Sequence, residues 1–468
     1  MKTAYGFIAA NRFGYGALPS EASKLVQMSK REAHAYLNQQ LTPYELVTSK
    51  GEPLWRSEDA LRASAKSQLL KKRVMQQGSA NEDEVKTARL AMVREAAQLA
   101  EQIAYSAIKT KQPLQARLLD FFSNHFSVNR TNFIVSSLAP TKDIEAVLPN
   151  LNGHFADMLI AVTQHPAMLM YLNNERSIGP NSLLAKSKLA KRNNLTGLNE
   201  NLAREILELH TMGASSGYTQ DDVVSLAKGI SGWSIGFIQR DEAPEFKYRH
   251  LAHEPGEHLL LSKHYKTSKG TAKQGEAMLS DLAIHPATAT HLSYKLARHF
   301  ISDEPTDALI DDMKSSWIET QAHIPSVMQT LIKHEDSWLP KKQKYKTPRD
   351  FVLSACRSCA FVPKRPALFQ SMEILGQGMY KANSPAGYGD LAQDWLGASA
   401  LTARIDWANH FSKAEKQIVA SHNMSVMSLA KAMLGPDVDK QLMMHLNRAE
   451  SAQQSLAMLL LSPDFQRR

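Results

Sequence analysis

Apolar residues recur at intervals of three and four along most of the chain, with Ser, Asn, Asp or Pro before the runs and Gly or Pro after them. That is the period of half-buried helices, so the pattern predicts a mainly α, multi-helix fold. Residues 20–42 predict a helical pair, and 56–110 predict two long helices broken near Gly78. Each long helix carries one apolar stripe, which lets the two close as a hairpin. Further short helices are expected over 113–127, 140–149 and 153–173, then a basic loop from Asn181 to Asn194. Thr219 is placed to cap a helix reaching Trp233. Between 235 and 264 the period shortens to two around a Glu-Pro-Gly turn, which predicts one small β-hairpin near 246–264. Helices resume at about 271, and Pro286 opens one of them. The expected architecture is a single unit, with a helical hairpin region over 1–110 packed on a helical core over 111–468.

Composition narrows this little. The 468 residues are 43% hydrophobic and 22% charged, ordinary for a globular chain, and the net charge of +9 favours anionic partners without selecting one. The basic runs KSQLLKKR, KSKLAKR and KKQKYK are scattered and match no nucleic-acid-binding pattern, so they read as solvated loops and helix faces and no specific nucleic-acid partner is expected. Two cysteines, Cys356 and Cys359, lie in the apolar stretch DFVLSACRSCAFV. Two thiols do not complete a zinc site, and buried structural cysteines are expected. No run approaches the roughly 20 apolar residues of a membrane span, and no secretory core is visible near residue 1. A soluble chain, cytoplasmic by default, is the expectation.

The densest chemistry lies in GLNENLAREILELHTMG, residues 197–213. As a regular helix it places Glu200, Asn201, Arg204, Glu205, Glu208, Thr211 and Met212 on a polar arc and Leu202, Ile206, Leu207 and His210 on the apolar side. Glu200, Arg204 and Glu208 at spacing four read as surface ion pairs. Glu205 and Glu208, one turn apart, could instead share a proton or a hard cation. His210 reads as a satisfied core histidine.

This helix and its continuation, ASSGYTQDDVVSLAKGISGW, resemble the signature of the bacterial domain of unknown function 1800 family. NRFGYG, PLQARLLDFFSNHFSVN, HPAMLMYLNN, HEPGEH, HPATATHLSYKLARHF, LGQGMYKANSPAGYGD and LLLSPDFQRR resemble its other blocks, in order, over nearly the whole chain. The resemblance implies one mainly helical unit, and many relatives carry an export leader. Departures include Phe122-Ser123 where the family commonly has Trp-His, and Glu254 and His258 where Asp and Lys are usual. The matching polar positions are Arg12, His125, Asn201, Arg204, Glu205, His253, His285 and Arg298.

If Glu205, His125 and His253 converge, they supply an acid–base set or a place for a divalent metal. The sequence therefore suggests a hydrolase acting on an envelope or extracellular polymer, with Glu205, His125 and His253 catalytic and Arg12, Asn201, Arg204, His285 and Arg298 binding. The alternative is a non-catalytic helical binding or assembly protein that recognises a protein or glycan partner. Each residue also has a plainer role: His285 as a helix cap, Arg12 and Arg298 as anchors for carboxylates, and His291, Lys295 and His299 as a wet or mildly anionophilic stripe on one helix. No HExxH, GxSxG or P-loop pattern names a reaction.

Overall fold

The computed structural model describes residues 4–48, 53–77, 82–188, 197–236, 242–266, 270–364 and 366–468. The fold is mainly α. Its two long helices, Ser57–Gln77 and Glu82–Lys109, pack against each other and both lie on the Phe133–Lys142 helix. The expected break at Gly78 falls outside the described residues, as do residues 189–194 of the expected basic loop, whose earlier part holds a short helix at Leu183–Lys186.

Local signals set most boundaries. Pro113 opens the Pro113–His125 helix. Asn132 starts the next helix earlier than its apolar pattern suggested, because its side chain accepts from the Ile134 and Val135 amides at 3.1 and 3.0 Å. Thr219 caps Gln220–Gly229 by accepting from the Asp222 amide, and its own amide donates to the Asp222 carboxylate, a capping box. His165, His285 and His334 each accept from the amide two residues ahead, so the imidazole repeatedly serves as a helix cap.

The alternating segment forms two antiparallel pairs. Strand β1 (Trp233–Ile235) pairs with β2 (Phe246–Tyr248), and β3 (His258–Leu260) pairs with β4 (Lys263–Tyr265). The expected 246–264 segment is thus divided: its second half closes on itself, while Phe246–Tyr248 reaches back to the fully buried β1. The physical reason is burial, since Trp233 is enclosed and its strand needs a hydrogen-bonding partner.

One hydrophobic cluster runs from Ala9 through the long helices to Phe465. The run KKQKYK departs from the solvated reading: Lys344, Tyr345 and Lys346 are buried. Backbone bonds of Lys344 with Arg468 and of Lys346 with Gln466 make a short antiparallel zipper there. Lys346 lies 3.9 Å from the centre of the Phe465 ring, a cation–π contact that offsets part of its desolvation. Cys356 and Cys359 are buried thiols in and beside the Pro348–Ser358 helix, and burial pushes both pKa values up. No helix among the described residues is long and apolar enough to cross a membrane.

Candidate functional site

Three segments far apart in sequence meet around a cavity of about 120 Å³: the Pro113–His125 helix, the Pro286–Phe300 helix and the loop 377–390, with Thr347–Asp350 as its back wall. His125, the last residue of its helix, is buried with Phe121 stacked on its ring and Phe126 edge-on. Its Nε2 lies 3.1 Å from the His210 carbonyl oxygen. A carbonyl only accepts, so Nε2 carries the hydrogen and Nδ1 keeps its lone pair. That lone pair faces Lys295 Nζ at 2.9 Å. Burial, reinforced by Lys295, His210 and His291, pushes the His125 pKa well below the ordinary imidazole value, so the ring is neutral.

The family signature thus reaches the site through its backbone. After Asn201–Glu205 the helix widens into a π turn, Ile206–His210, closed by Thr211 donating to the Ile206 carbonyl at 2.6 Å. As the last residue of that turn, His210 presents its carbonyl beyond the helical ladder, where His125 can donate to it. The change of winding also corrects the regular wheel: Thr211 and Met212 are buried, not on the polar arc. His210 is buried as its apolar position required, with its pKa lowered to about 3 by burial and by Lys295. Its Nε2, however, has no partner among the described residues, so the ring is not the satisfied one expected.

Lys295, Arg298 and His299 share one face of the Pro286–Phe300 helix. Among the described residues, no carboxylate lies within 4.0 Å of Lys295 Nζ. Burial and the neighbouring Arg298, only partly offset by Asp390, lower its pKa to about 8. Arg298 Nε sits 2.9 Å from Asp390 Oδ1, close enough for an ion pair but not aligned as a hydrogen bond. Burial opposes ionisation of Asp390, yet the nearby His299, 3.8 Å away, Lys344 and Arg298 outweigh it and hold this carboxyl below the usual range. Burial also lowers the His299 pKa to about 4.

Behind the cavity, Asp350 receives Arg117 at 2.9 and 3.0 Å and Arg468 at 3.0 Å. Asp120 receives Arg349 and the Tyr15 hydroxyl. The loop wall is fastened by Asn124, which donates to the Tyr388 carbonyl at 2.9 Å and accepts from its amide at 2.8 Å. Gly387 makes this approach possible: its φ is +81°, and a Cβ there would stand 2.4 Å from the Asn124 carbonyl oxygen.

Of the residues singled out in the sequence, His125 and Arg298 line this cavity. Glu205 does not; it is half-buried, and burial and Glu208 raise its pKa. It makes no ion pair or hydrogen bond with His125 or His253. His253 is held between the Ser231 carbonyl and the Gln274 side-chain oxygen, both at 2.9 Å. The Gln274 amide nitrogen donates to Gly256 and Tyr265, which fixes that orientation, so both His253 nitrogens face acceptors within the fold and the ring does not line the cavity. Arg204 joins Glu200 and Gln220 at the surface, and Asn201 is exposed. Arg12 binds the carbonyls of Ser337, Leu339 and Lys341 in place of the expected carboxylate, whereas Arg298 meets Asp390 as an anchor should. His285 is the local cap.

Among the described residues, no group of three or more His, Cys, Asp or Glu side chains is placed to hold a metal ion. Asp120, Arg349, Tyr388 and Asp390 are cavity residues that the sequence did not single out, and Lys295, with His299, read there only as part of a helix stripe, lines the cavity as well. All but Arg349 lie inside stretches already quoted for the family resemblance, which was the available signal.

Fold and site together define a mainly helical protein in which dispersed segments assemble a charge-lined cavity. The chain belongs to the family described as protein of unknown function (DUF1800), whose model matches residues 8–467. No curated protein and no solved structure matches it.

Proposed function

We propose that the chain is an enzyme, a hydrolase in which Lys295 is the general base and His125 orients it. The observation that carries this reading is the chain His210 carbonyl, His125, Lys295 Nζ, with contacts of 3.1 and 2.9 Å at the cavity. A neutral Lys295 donates one N–H to His125 Nδ1, which leaves the amine lone pair free for the cavity. A pKa of about 8 places a useful fraction of that amine near neutral pH, the condition for efficient proton transfer. In the step proposed, water loses a proton to Nζ as its oxygen bonds to the electrophilic centre. The leaving atom takes the proton from Nζ as its bond breaks, so the lysine ends as it began.

An envelope or extracellular polymer remains the proposed source of substrate, on the family resemblance alone, and a cavity of about 120 Å³ suits a chain end or side group better than a polymer backbone. This reading moves the base from Glu205 to Lys295 and keeps His125 and Arg298. The non-catalytic alternative draws on the exposed Glu200–Arg204–Gln220 network, which offers a partner a polar surface. The experiment is a hydrolysis screen with chromogenic ester, amide and glycoside panels. Activity rising through about pH 8 and lost in Lys295→Met supports the enzyme; activity unchanged in that variant contradicts it.

A further inference from the structure

Three carboxylates, Asp120, Asp350 and Asp390, and three cations, Lys295, Arg298 and Arg349, line the cavity, and two further arginines stand behind it. Asp350 is shared by two arginines, Asp120 is matched by Arg349, and Asp390 is matched by Arg298, while Lys295 has no carboxylate within reach among the described residues. Arg298 approaches Asp390 most closely through Nε, at 2.9 Å and without a hydrogen bond. Its terminal nitrogens meet no acceptor among the described residues, and its guanidinium carbon lies 5.3 Å from the centre of the Tyr294 ring. A guanidinium edge without a hydrogen-bond acceptor at a cavity, one helical turn from an ammonium without a carboxylate, is a seat for a planar or tetrahedral anion.

We propose that the ligand of this cavity carries an anionic group, a carboxylate or a phosphate or sulfate ester, which Arg298 grips by its free edge beside Lys295. The proposal rests on the reading of the cavity as the reaction site and adds its substrate class. It also gives the cavity a coupling. Lys295 is faced by His125 and His210 from two other helices, by His291 and Arg298 on its own, and by Asp390 from the loop. The imidazoles are neutral at pH 8, because burial lowers their pKa values, and Asp390 is engaged by Arg298. An anion on Arg298 is then a new negative charge beside Lys295 and raises its proton affinity. Substrate binding therefore takes up protons near pH 8.

Calorimetric titration of the full chain with sodium acetate and with sodium sulfate, at pH 8 and matched ionic strength in two buffers of different ionisation enthalpy, tests this. Neither anion titrates at that pH. Saturable binding with proton uptake in the wild type, weakened about tenfold in Arg298→Gln, is the expected result. The better of the two anions separates a carboxylate from an ester dianion. Absence of binding in the wild type overturns the anion seat without needing any variant, as does equal binding by Arg298→Gln. Binding that weakens in Arg298→Gln but takes up no proton keeps the seat and removes Lys295 as the titrating group, so the two readings fail separately.

Discussion

At the scale of single residues, the site depends on which nitrogen of His125 holds its proton, and that is set by a carbonyl 85 positions along the chain. Lys295 is costly where it sits. Its charged form is disfavoured in the fold, so the penalty is complete below about pH 8 and shrinks as pH rises towards the unfolded value near 10.4. Lys295→Met is therefore expected to stabilise the protein by about 1–3 kcal/mol at pH 7, read from urea midpoints, while abolishing activity. A loss of stability would assign the lysine a structural role. Glu205 lies beside Glu208 and is half-buried, so Glu205→Gln should leave the melting temperature at pH 7 unchanged or higher and preserve activity. His125 and Arg298 could be picked out in the sequence because their stretches match the family pattern. Lys295 shares the Arg298 stretch but reads there only as part of a helix stripe, since spacing puts it on a helix face without saying what covers that face.

At the scale of elements, helix existence was legible from periodicity and caps, as at Thr219 and Pro113. The π turn at 206–210 was not, because its apolar spacing is also that of a regular helix and the wider winding is chosen by what the turn contacts. The loop 377–390 carries no periodicity at all, and its place is fixed by long-range bonds such as those of Asn124 to Tyr388. Gly387→Ala adds a Cβ against the Asn124 carbonyl at a left-handed φ, so the loop must move. A destabilisation of about 1–3 kcal/mol in denaturant melts is expected, with faster proteolysis of that loop. An unchanged melt would show that the loop does not need this approach.

For the whole molecule, one hydrophobic cluster holds an ionic layer within it, and Asp350 joins the Pro113–His125 helix to the final zipper through Arg117 and Arg468. Burial opposes the Asp350 charge, but the two arginines outweigh it and hold the carboxyl below the usual range. Its stabilising contribution is thus present above the unfolded carboxylate value near 4 and is lost as pH falls below that. Asp350→Asn should cost about 3–5 kcal/mol at pH 7 and flatten the acid limb of stability against pH, measured by urea midpoints from pH 7 to 3. No sequence pattern marks this layer, because its members come from both halves of the chain and each looks like an ordinary surface charge.

The central claim is that the fold holds one buried lysine as a ready base at the cavity. Its most direct test is the pH dependence of Lys295 acetylation by trace acetic anhydride, followed peptide by peptide with mass spectrometry. The account predicts a midpoint near 8 for Lys295, well below that of exposed lysines in the same digest. A midpoint indistinguishable from theirs would contradict it.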